Sequence, residues 1–200
     1  MSELYKTYRK KDGSKVLKVY YDSTQESPRT FDEGNLGIMV CSHKRYDLPN
    51  ETKLDSNSFS GWENLKNYIV KNLKAEIILP LYMLNHSGLT VKTTPFKGIY
   101  GYFDSGQIGF IFVSKETLRK EKLTKEKATK LLDGEIETFN YYLNGDVYGF
   151  ILSKLTKCGG CGDEKAEEEN SCWGFYGSDF EDNGLFESAD VNIDEYEEVN

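Results

Sequence analysis

The chain is poor in the residues from which most recognisable active sites are built. Its 200 residues include only two histidines and four cysteines. No segment matches a phosphate-binding loop, a dinucleotide-binding fingerprint or a metalloprotease helix, and no internal repeat is present. These absences exclude the enzyme classes that a local motif identifies, so the sequence alone does not name a reaction.

Long apolar runs are missing as well. No run approaches the length of about 20 residues that a membrane-spanning helix needs. The N-terminal stretch MSELYKTYRKKDGSK lacks the apolar middle of a signal peptide. We therefore expect a soluble cytoplasmic protein without a membrane partner. Its cysteines would then be reduced thiols or metal ligands rather than a disulfide framework.

Charge is divided unevenly along the chain, whose net charge is −8. Residues 163–200 hold 14 acidic residues and one lysine, a net of −13, whereas residues 1–162 hold 19 acidic and 24 basic residues, a net of +5. The acidic segment is typical of a solubilising, partly ordered tail. Alternatively, it is a negative surface that imitates nucleic acid or covers the protein's own basic face.

The apolar pattern predicts an α+β fold with a mostly antiparallel sheet, inserted helices and an acidic C-terminal segment. Residues 1–15 are expected to form a basic, frayed start, residues 16–177 a single domain, and residues 178–200 an acidic segment, which from Phe186 onward is a weak helix or disordered. Strands are predicted over 16–21, 36–41, 75–84, 89–94, 107–113, 147–155 and 171–176.

Two helices and one unusual strand are predicted with specific boundaries. A capping-box pattern from Ser60 to Glu63 starts a helix that ends near Leu73. The longest helix covers residues 124–144, with Leu131 among the residues of its apolar stripe. Pro80 cannot donate to a sheet ladder, so its strand is expected to lie at an edge or to be bulged there.

One candidate site combines the two histidines with a thiol and a carboxylate. Cys41 and His43 lie at the end of a predicted strand, and His86 and Asp104 lie in later turns. A thiol, an imidazole and an orienting carboxylate could form a nucleophile, base and orienter set. A cysteine next to apolar Met39 and Val40, as Cys41 is, is more often a small buried hydrophobe. We predict that His86 and Asp104 lie close together, because an antiparallel meander brings alternate junctions to one end of a sheet.

A second candidate is a polar turn flanked by aromatic residues. Asp104, Ser105 and Gln107 follow an aromatic segment that contains Tyr100, Tyr102 and Phe103. The turn itself is explained by side-chain-to-backbone bonds around Gly106. Alternatively, the six residues form a binding patch, since aromatic side chains beside fixed polar groups often anchor a recognition surface.

The third candidate is a metal site. Cys158 and Cys161 have the spacing of a zinc knuckle, and Cys172 is a third possible ligand across the predicted hairpin. A closed structural zinc site needs four ligands, and a second CxxC pair is absent from the sequence. Two interpretations stay open: a structural zinc, or a glycine-rich hairpin tip with two spare thiols and no cofactor.

Glu135 falls on the apolar side of the longest predicted helix. A carboxylate in that position needs a partner to offset its desolvation. Arg45, Lys97 or a tyrosine hydroxyl is the expected partner.

Several segments together resemble a widespread family of uncharacterised proteins from bacteriophages and mobile elements. The segments lie between residues 16 and 177, and they are Glu26–Arg29, Asn35–His43, Leu79–Tyr82, His86–Gly88, Asp104–Phe110, Gly134–Phe139, Gly145–Gly149 and Ser171–Gly177. The resemblance implies a small accessory protein that acts inside an infected bacterium. Such proteins commonly inhibit host defence or modify host machinery.

Three functions are compatible with these features. The first is a non-enzymatic phage accessory protein that binds and modulates a host protein or nucleoprotein, as an anti-defence inhibitor. The second is a hydrolase or transferase that uses Cys41, His43, His86 and Asp104. The third is direct binding of nucleic acid through the basic N-terminus and residues 115–130, which the overall charge of −8 disfavours.

Overall fold

The computed structural model describes residues 2–30, 34–55, 58–98 and 104–199. The chain forms two compact units, which we call unit 1 (Met1–Glu26 and Gly145–Asn200) and unit 2 (Ser27–Asn144). Each unit contains one antiparallel sheet accompanied by helices, so the predicted α+β class with antiparallel strands is confirmed.

The elements have the following bounds. The strands are β1 (Leu4–Lys10), β2 (Lys15–Tyr21), β3 (Ile38–Cys41), β4 (Ala75–Asn85), β5 (Leu89–Lys92), β6 (Ser105–Ser114), β7 (Val147–Lys157), β8 (Glu164–Tyr176) and β9 (Tyr196–Val199). The helices are α1 (Trp62–Asn72), α2 (Lys115–Lys120), α3 (Lys125–Asn144) and α4 (Leu185–Ser188), with a 3-10 turn over Ile193–Glu195.

Unit 1 is a five-stranded sheet with the order β8-β7-β2-β1-β9. Its core is rich in aromatic rings, which fits the high tyrosine and phenylalanine content of the chain. Leu17 and Val19 alternate with outward-facing residues on β2 and are fully buried, as the period of a strand requires. Tyr148 on β7 packs edge-on against Phe180, with ring centroids 5.2 Å apart.

The prediction of a frayed N-terminus is wrong. Residues 4–10 form β1, which pairs with β2 on one side and with β9 on the other. Tyr8 points into the core and is only 8% exposed. The sequence does not show this because one of the partners of β1 is the last strand of the chain.

The C-terminal segment is also ordered: it holds the short helix α4, a 3-10 turn and β9, so the alternative of a disordered end is wrong. Phe180, Leu185, Phe186 and Ala189 are buried in the core of unit 1. β9 then pairs with the basic strand β1, and two ion pairs cross this junction: Lys6 with Glu198 at 3.0 Å and Lys10 with Glu195 at 3.1 Å. Part of the acidic segment therefore covers the protein's own basic strand.

Unit 2 is a four-stranded sheet with the order β3-β6-β4-β5. The central strand β6 is buried at every position from Ile108 to Val113 because both of its faces are covered. Ile111 and Val113 share a core cluster with residues of α3, whereas Phe110 and Phe112 share one with Leu65 and Ile69 of α1. A continuous apolar run is the expected pattern for a strand buried on both faces.

The strand that contains Pro80 was expected to lie at an edge of the sheet or to be bulged, and it is both a local edge and irregular near the proline. β5 pairs only with Tyr82–Asn85, so Pro80 lies beyond the part of β4 that has β5 as a neighbour. The register of β4 against β6 also shifts between Leu81 and Tyr82. The proline is therefore tolerated at a local edge next to an irregular step in the ladder.

Two details of the predicted helices are wrong. α1 is capped at Gly61 without a side-chain cap bond, and the Ser60 hydroxyl instead accepts a bond from the Asn64 amide at 2.6 Å. On α3, Leu131 is 49% exposed although it fits the apolar stripe. The other members of the stripe pack as predicted, with Ala128, Leu132, Ile136 and Phe139 buried.

Glu135 on α3 has a different partner from those expected. Its Oε2 lies 2.7 Å from Nη1 of Arg29, a guanidinium whose side chain is 1% exposed. Its Oε1 accepts the backbone N–H of Leu36 at 2.5 Å. Glu135 and Arg29 thus fix the segment that leads into β3.

Candidate functional site

Both histidines lie in loops at one end of the sheet of unit 2. β3 and β4 each run antiparallel to β6, so both end where β6 begins. The Ser42 N–H donates to the Ile108 carbonyl at 2.8 Å, and the Asn85 N–H donates to the Asp104 carbonyl at 2.9 Å. The loops after β3 and β4 therefore leave the sheet on the same side as the start of β6.

The predicted proximity of His86 and Asp104 is confirmed. The His86 Nδ1 and the Asp104 Oδ2 lie 3.8 Å apart, and both side chains are nearly half exposed. An exposed pair of this kind contributes little to stability. It does place an imidazole and a carboxylate side by side at the surface.

The predicted Asp104–Gln107 turn is instead the start of a strand. β6 begins at Ser105, which pairs with Leu84, and Gln107 pairs with Tyr82. The Gln107 amide donates to the Gly109 carbonyl at 3.3 Å. The aromatic half of the proposed patch, Tyr100, Tyr102 and Phe103, lies outside the described residues.

His43 is connected to the same end of the sheet through Tyr46. The two rings stack with centroids 5.0 Å apart, and the His43 Nδ1 accepts the Arg45 N–H at 3.2 Å. The Tyr46 hydroxyl in turn accepts the Asn85 amide at 2.8 Å. His43, His86 and Asp104 thus belong to one polar cluster, although they come from three separate segments of the chain.

Cys41 does not join this cluster as a reactive group. Its side chain is packed in the core below β3, and the residue is only 4% exposed. Burial raises the pKa of the Cys41 thiol to about 12, and the nearby Glu51 carboxylate acts in the same direction. Because the thiolate is the nucleophile, a thiol held protonated in this way does not serve the predicted catalytic set.

We expect Cys41 to resist alkylation by iodoacetamide in the native protein at pH 8. With a pKa of about 12 and only 4% of its surface exposed, it should react at least about 100-fold more slowly than exposed Cys161. Peptide mass spectrometry after timed labelling measures both rates. In guanidinium chloride the two rates should converge, and rapid native labelling of Cys41 would contradict its burial.

A groove in unit 2 includes His43 of the polar cluster in its lining and also carries aromatic residues. It has a volume of about 520 Å³ and is lined by His43, Lys44, Phe59, Trp62 and Leu65, among others. A second hollow of about 240 Å³ shares Trp62 with it and reaches Lys66, Tyr82 and Gln107. Trp62 therefore lies between two neighbouring hollows, and we call this surface the Trp62 groove.

The Trp62 groove has the composition of a contact surface. Trp62 is half-buried at the first position of α1 and meets Phe110 edge-on, with ring centroids 6.2 Å apart. Tryptophan, tyrosine and well-packed apolar walls are the usual anchors of a protein interface. The sequence of α1 gives no sign that the ring of Trp62 borders a groove.

The charge of the chain is segregated between the two units. Unit 1 contains 9 basic and 19 acidic residues, a net of −10, whereas unit 2 contains 16 basic and 14 acidic residues, a net of +2. In unit 1 the outermost strand β8 carries Glu164, Glu167, Glu168 and Glu169 on its exposed half. Arg9 pairs with Glu164 at 2.5 Å and Lys15 with Glu169 at 2.6 Å, so these two charges are partly compensated.

The cysteines of the suspected zinc knuckle are not brought together as a set of three. Cys158 and Cys161 lie in the tip between β7 and β8, whereas Cys172 pairs with Phe150 farther along the hairpin. At about 3.3 Å per residue, Cys172 is roughly 25 Å from the tip. Within the described part of the chain, no group of three or more His, Cys, Asp or Glu side chains is placed to hold a metal ion.

No helix within the described ranges is both long and apolar enough to cross a membrane. Comparison with protein-family models, curated proteins and solved structures finds no match to this chain. The resemblance to phage and mobile-element proteins therefore stays an expectation.

Proposed function

We propose that this protein is a non-enzymatic accessory protein that binds and modulates a host protein or nucleoprotein in the bacterial cytoplasm, as an inhibitor of host defence. The observation that supports the proposal is the charge of unit 1, a net of −10 displayed on a folded sheet and its C-terminal elements. The resemblance to phage proteins supplies the host context. A nuclease-type defence complex or the transcription machinery is the target class that we favour.

The physical link is electrostatic complementarity. A rigid surface with a large excess of carboxylates attracts basic surfaces, and those surfaces are what proteins use to bind nucleic acid. Complementary charge accelerates association and orients the partners more than it adds affinity. An ordered acidic unit that occupies such a basic surface would exclude the nucleic acid from it.

The alternative, a hydrolase or transferase, has less support. His43, His86 and Asp104 do lie in one polar cluster, but the thiol proposed as nucleophile is buried and protonated. Direct nucleic-acid binding is also less favoured, because the basic strand β1 is already paired with the acidic strand β9. The Trp62 groove fits the binding proposal better than either rival, since it offers aromatic anchors without a complete catalytic set.

The test begins with affinity capture from host cells and then measures the dissociation constant of the identified partner. The first variant, Glu167→Gln/Glu181→Gln/Glu187→Gln, removes three exposed charges from unit 1. We expect about a 10-fold or greater loss of affinity at low salt and a smaller loss at high salt, because exposed charges are screened beyond about 8 Å at physiological ionic strength. Double-stranded DNA should compete with the protein for the partner.

The matched control removes three exposed carboxylates from unit 2, as Glu116→Gln/Glu121→Gln/Asp133→Asn. This control should bind as the unmodified protein does. A separate Trp62→Ala variant reports on the Trp62 groove and should lose at least about 10-fold in affinity if the groove is in the interface. Equal affinity of the acidic-surface variant and its control would end the electrostatic proposal.

A further inference from the structure

The tip of the β7–β8 hairpin holds two thiols in a closed turn. The Cys158 N–H donates to the Asp163 carbonyl at 2.8 Å, and the Gly162 N–H donates to the Cys158 carbonyl at 3.0 Å. The second bond joins residues four apart, so Cys158 and Cys161 occupy one helix-like turn. In such a turn, side chains three residues apart are neighbours, with Cβ atoms about 5–6 Å apart.

This spacing is close to what a disulfide requires. A disulfide joins Cα atoms about 4.4–6.8 Å apart and Cβ atoms about 3.5–4.5 Å apart, so a small closure of the turn suffices. The intervening Gly159 and Gly160 have open space around them, with nothing within 4 Å of where a side chain would start. They can therefore adjust their backbone angles without displacing a neighbour.

From this geometry we propose that Cys158 and Cys161 form a reactive dithiol that undergoes thiol–disulfide exchange with low-molecular-weight disulfides. The chemistry of this site uses neither the exposed carboxylates of unit 1 nor the residues of the Trp62 groove. It also needs no third ligand, unlike the zinc knuckle, and two neighbouring thiols are what the turn provides. Cys161 is exposed and Cys158 is half-buried, so a small disulfide can approach both.

The electrostatics of the tip make Cys158 the attacking group. Backbone N–H groups of Cys161 and Gly160, together with the Cys161 thiol, are directed at its sulfur and lower the pKa of Cys158 to about 7. About half of Cys158 is then thiolate at neutral pH, whereas an ordinary cysteine is only a few per cent ionised. Its reactivity should rise with pH through about 7 and level off above that value.

The exchange proceeds in two balanced steps. The Cys158 thiolate attacks one sulfur of a disulfide RS–SR, forming a Cys158–SR mixed disulfide and releasing one RS⁻. The Cys161 thiol loses its proton to solvent and attacks the Cys158 sulfur, forming the internal disulfide and releasing the second RS⁻. The dithiol loses two electrons and two protons, and RS–SR gains the two electrons.

The test exposes the reduced, full-length protein to oxidised glutathione at pH 7 and follows the products by mass spectrometry. The unmodified protein should lose two hydrogens through a bond between Cys158 and Cys161. Cys161→Ser should instead accumulate the mixed disulfide at Cys158, and Cys158→Ser should react about 10-fold more slowly. Cys172→Ser is the control and should behave as the unmodified protein does.

Circular dichroism of each variant checks that the fold persists, which the exposed position of the tip leads us to expect. A mixed disulfide that persists on the unmodified protein, without the internal bond, would overturn the proposal. Equal reaction of Cys172 and Cys158 would overturn it as well. Neither result would contradict the proposed binding function, because that function is tested with variants that retain all four cysteines.

Discussion

Replacing Leu185 with alanine is expected to lower the free energy of unfolding of unit 1 by about 2–5 kcal/mol. Leu185 begins α4 in the acidic C-terminal segment and is fully buried. It belongs to the same core cluster as Tyr8, Tyr148 and Phe186. The substitution removes three buried carbon atoms and leaves a cavity in an aromatic core that has little freedom to collapse.

Chemical denaturation followed by tryptophan and tyrosine fluorescence measures the effect. Glu187→Ala is the matched control, because it removes an exposed side chain from the same short helix and should cost less than about 0.5 kcal/mol. Similar stability of the two variants would mean that the C-terminal segment does not close the core of unit 1. Removal of the whole segment from residue 178 onward should be still more damaging, since it also deletes β9 from the sheet.

This expectation affects how the acidic segment can be studied. Truncation would remove its charge and its core residues together, so loss of partner binding in a truncated protein would report unfolding as readily as a lost contact. Substitutions that neutralise exposed carboxylates but keep the core residues separate the two effects. The ordered state of this segment therefore decides which variants can test its charge.

The parts of the fold that follow from local patterns were predictable. α3 has the period of an amphipathic helix over twenty residues, and only its exposed Leu131 departs from the stripe. Pro80 marked a strand that is locally an edge. The meeting of His86 and Asp104 also followed from simple antiparallel topology.

The parts that depend on distant partners were not predictable. β1 is stabilised as a strand by β9, almost the whole chain away, and nothing in the residues of β1 identifies that partner. The Ser60 hydroxyl bonds with Asn64 rather than capping α1, because the chain enters the helix through Gly61 at φ +88°. Likewise, the Trp62 groove arises from the way α1 packs over Phe110, which the sequence of α1 does not encode alone.

Arg29 is the clearest case of a residue whose importance only the structure reveals. All five of its N–H donors are used: two on Glu51 at 2.8 and 3.1 Å, one each on Asn35 at 3.0 Å and Glu135 at 2.7 Å, and one on the Gly37 carbonyl at 2.5 Å. The partners come from separate segments of unit 2. A planar guanidinium matches this arrangement, whereas a lysine could not reproduce the fork.

Arg29→Ala is therefore expected to destabilise unit 2 by about 3–5 kcal/mol, because it leaves Glu51 and Glu135 without the buried cation that compensates them. Arg29→Lys should recover only part of this loss.

Arg119→Ala, at an exposed position on α2, is the matched control and should cost less than about 0.5 kcal/mol. Urea denaturation gives the free energies, and hydrogen exchange at the Met39 amide, which donates to Glu51 at 3.0 Å, locates the effect. The double variant Arg29→Met/Glu135→Met should be less destabilised than the sum of its single variants, since removing both members of one ion pair leaves only Glu51 without its cation. Strict additivity, or a cost for Arg29→Ala no greater than for Arg119→Ala, would show that the network does not hold β3 against α3.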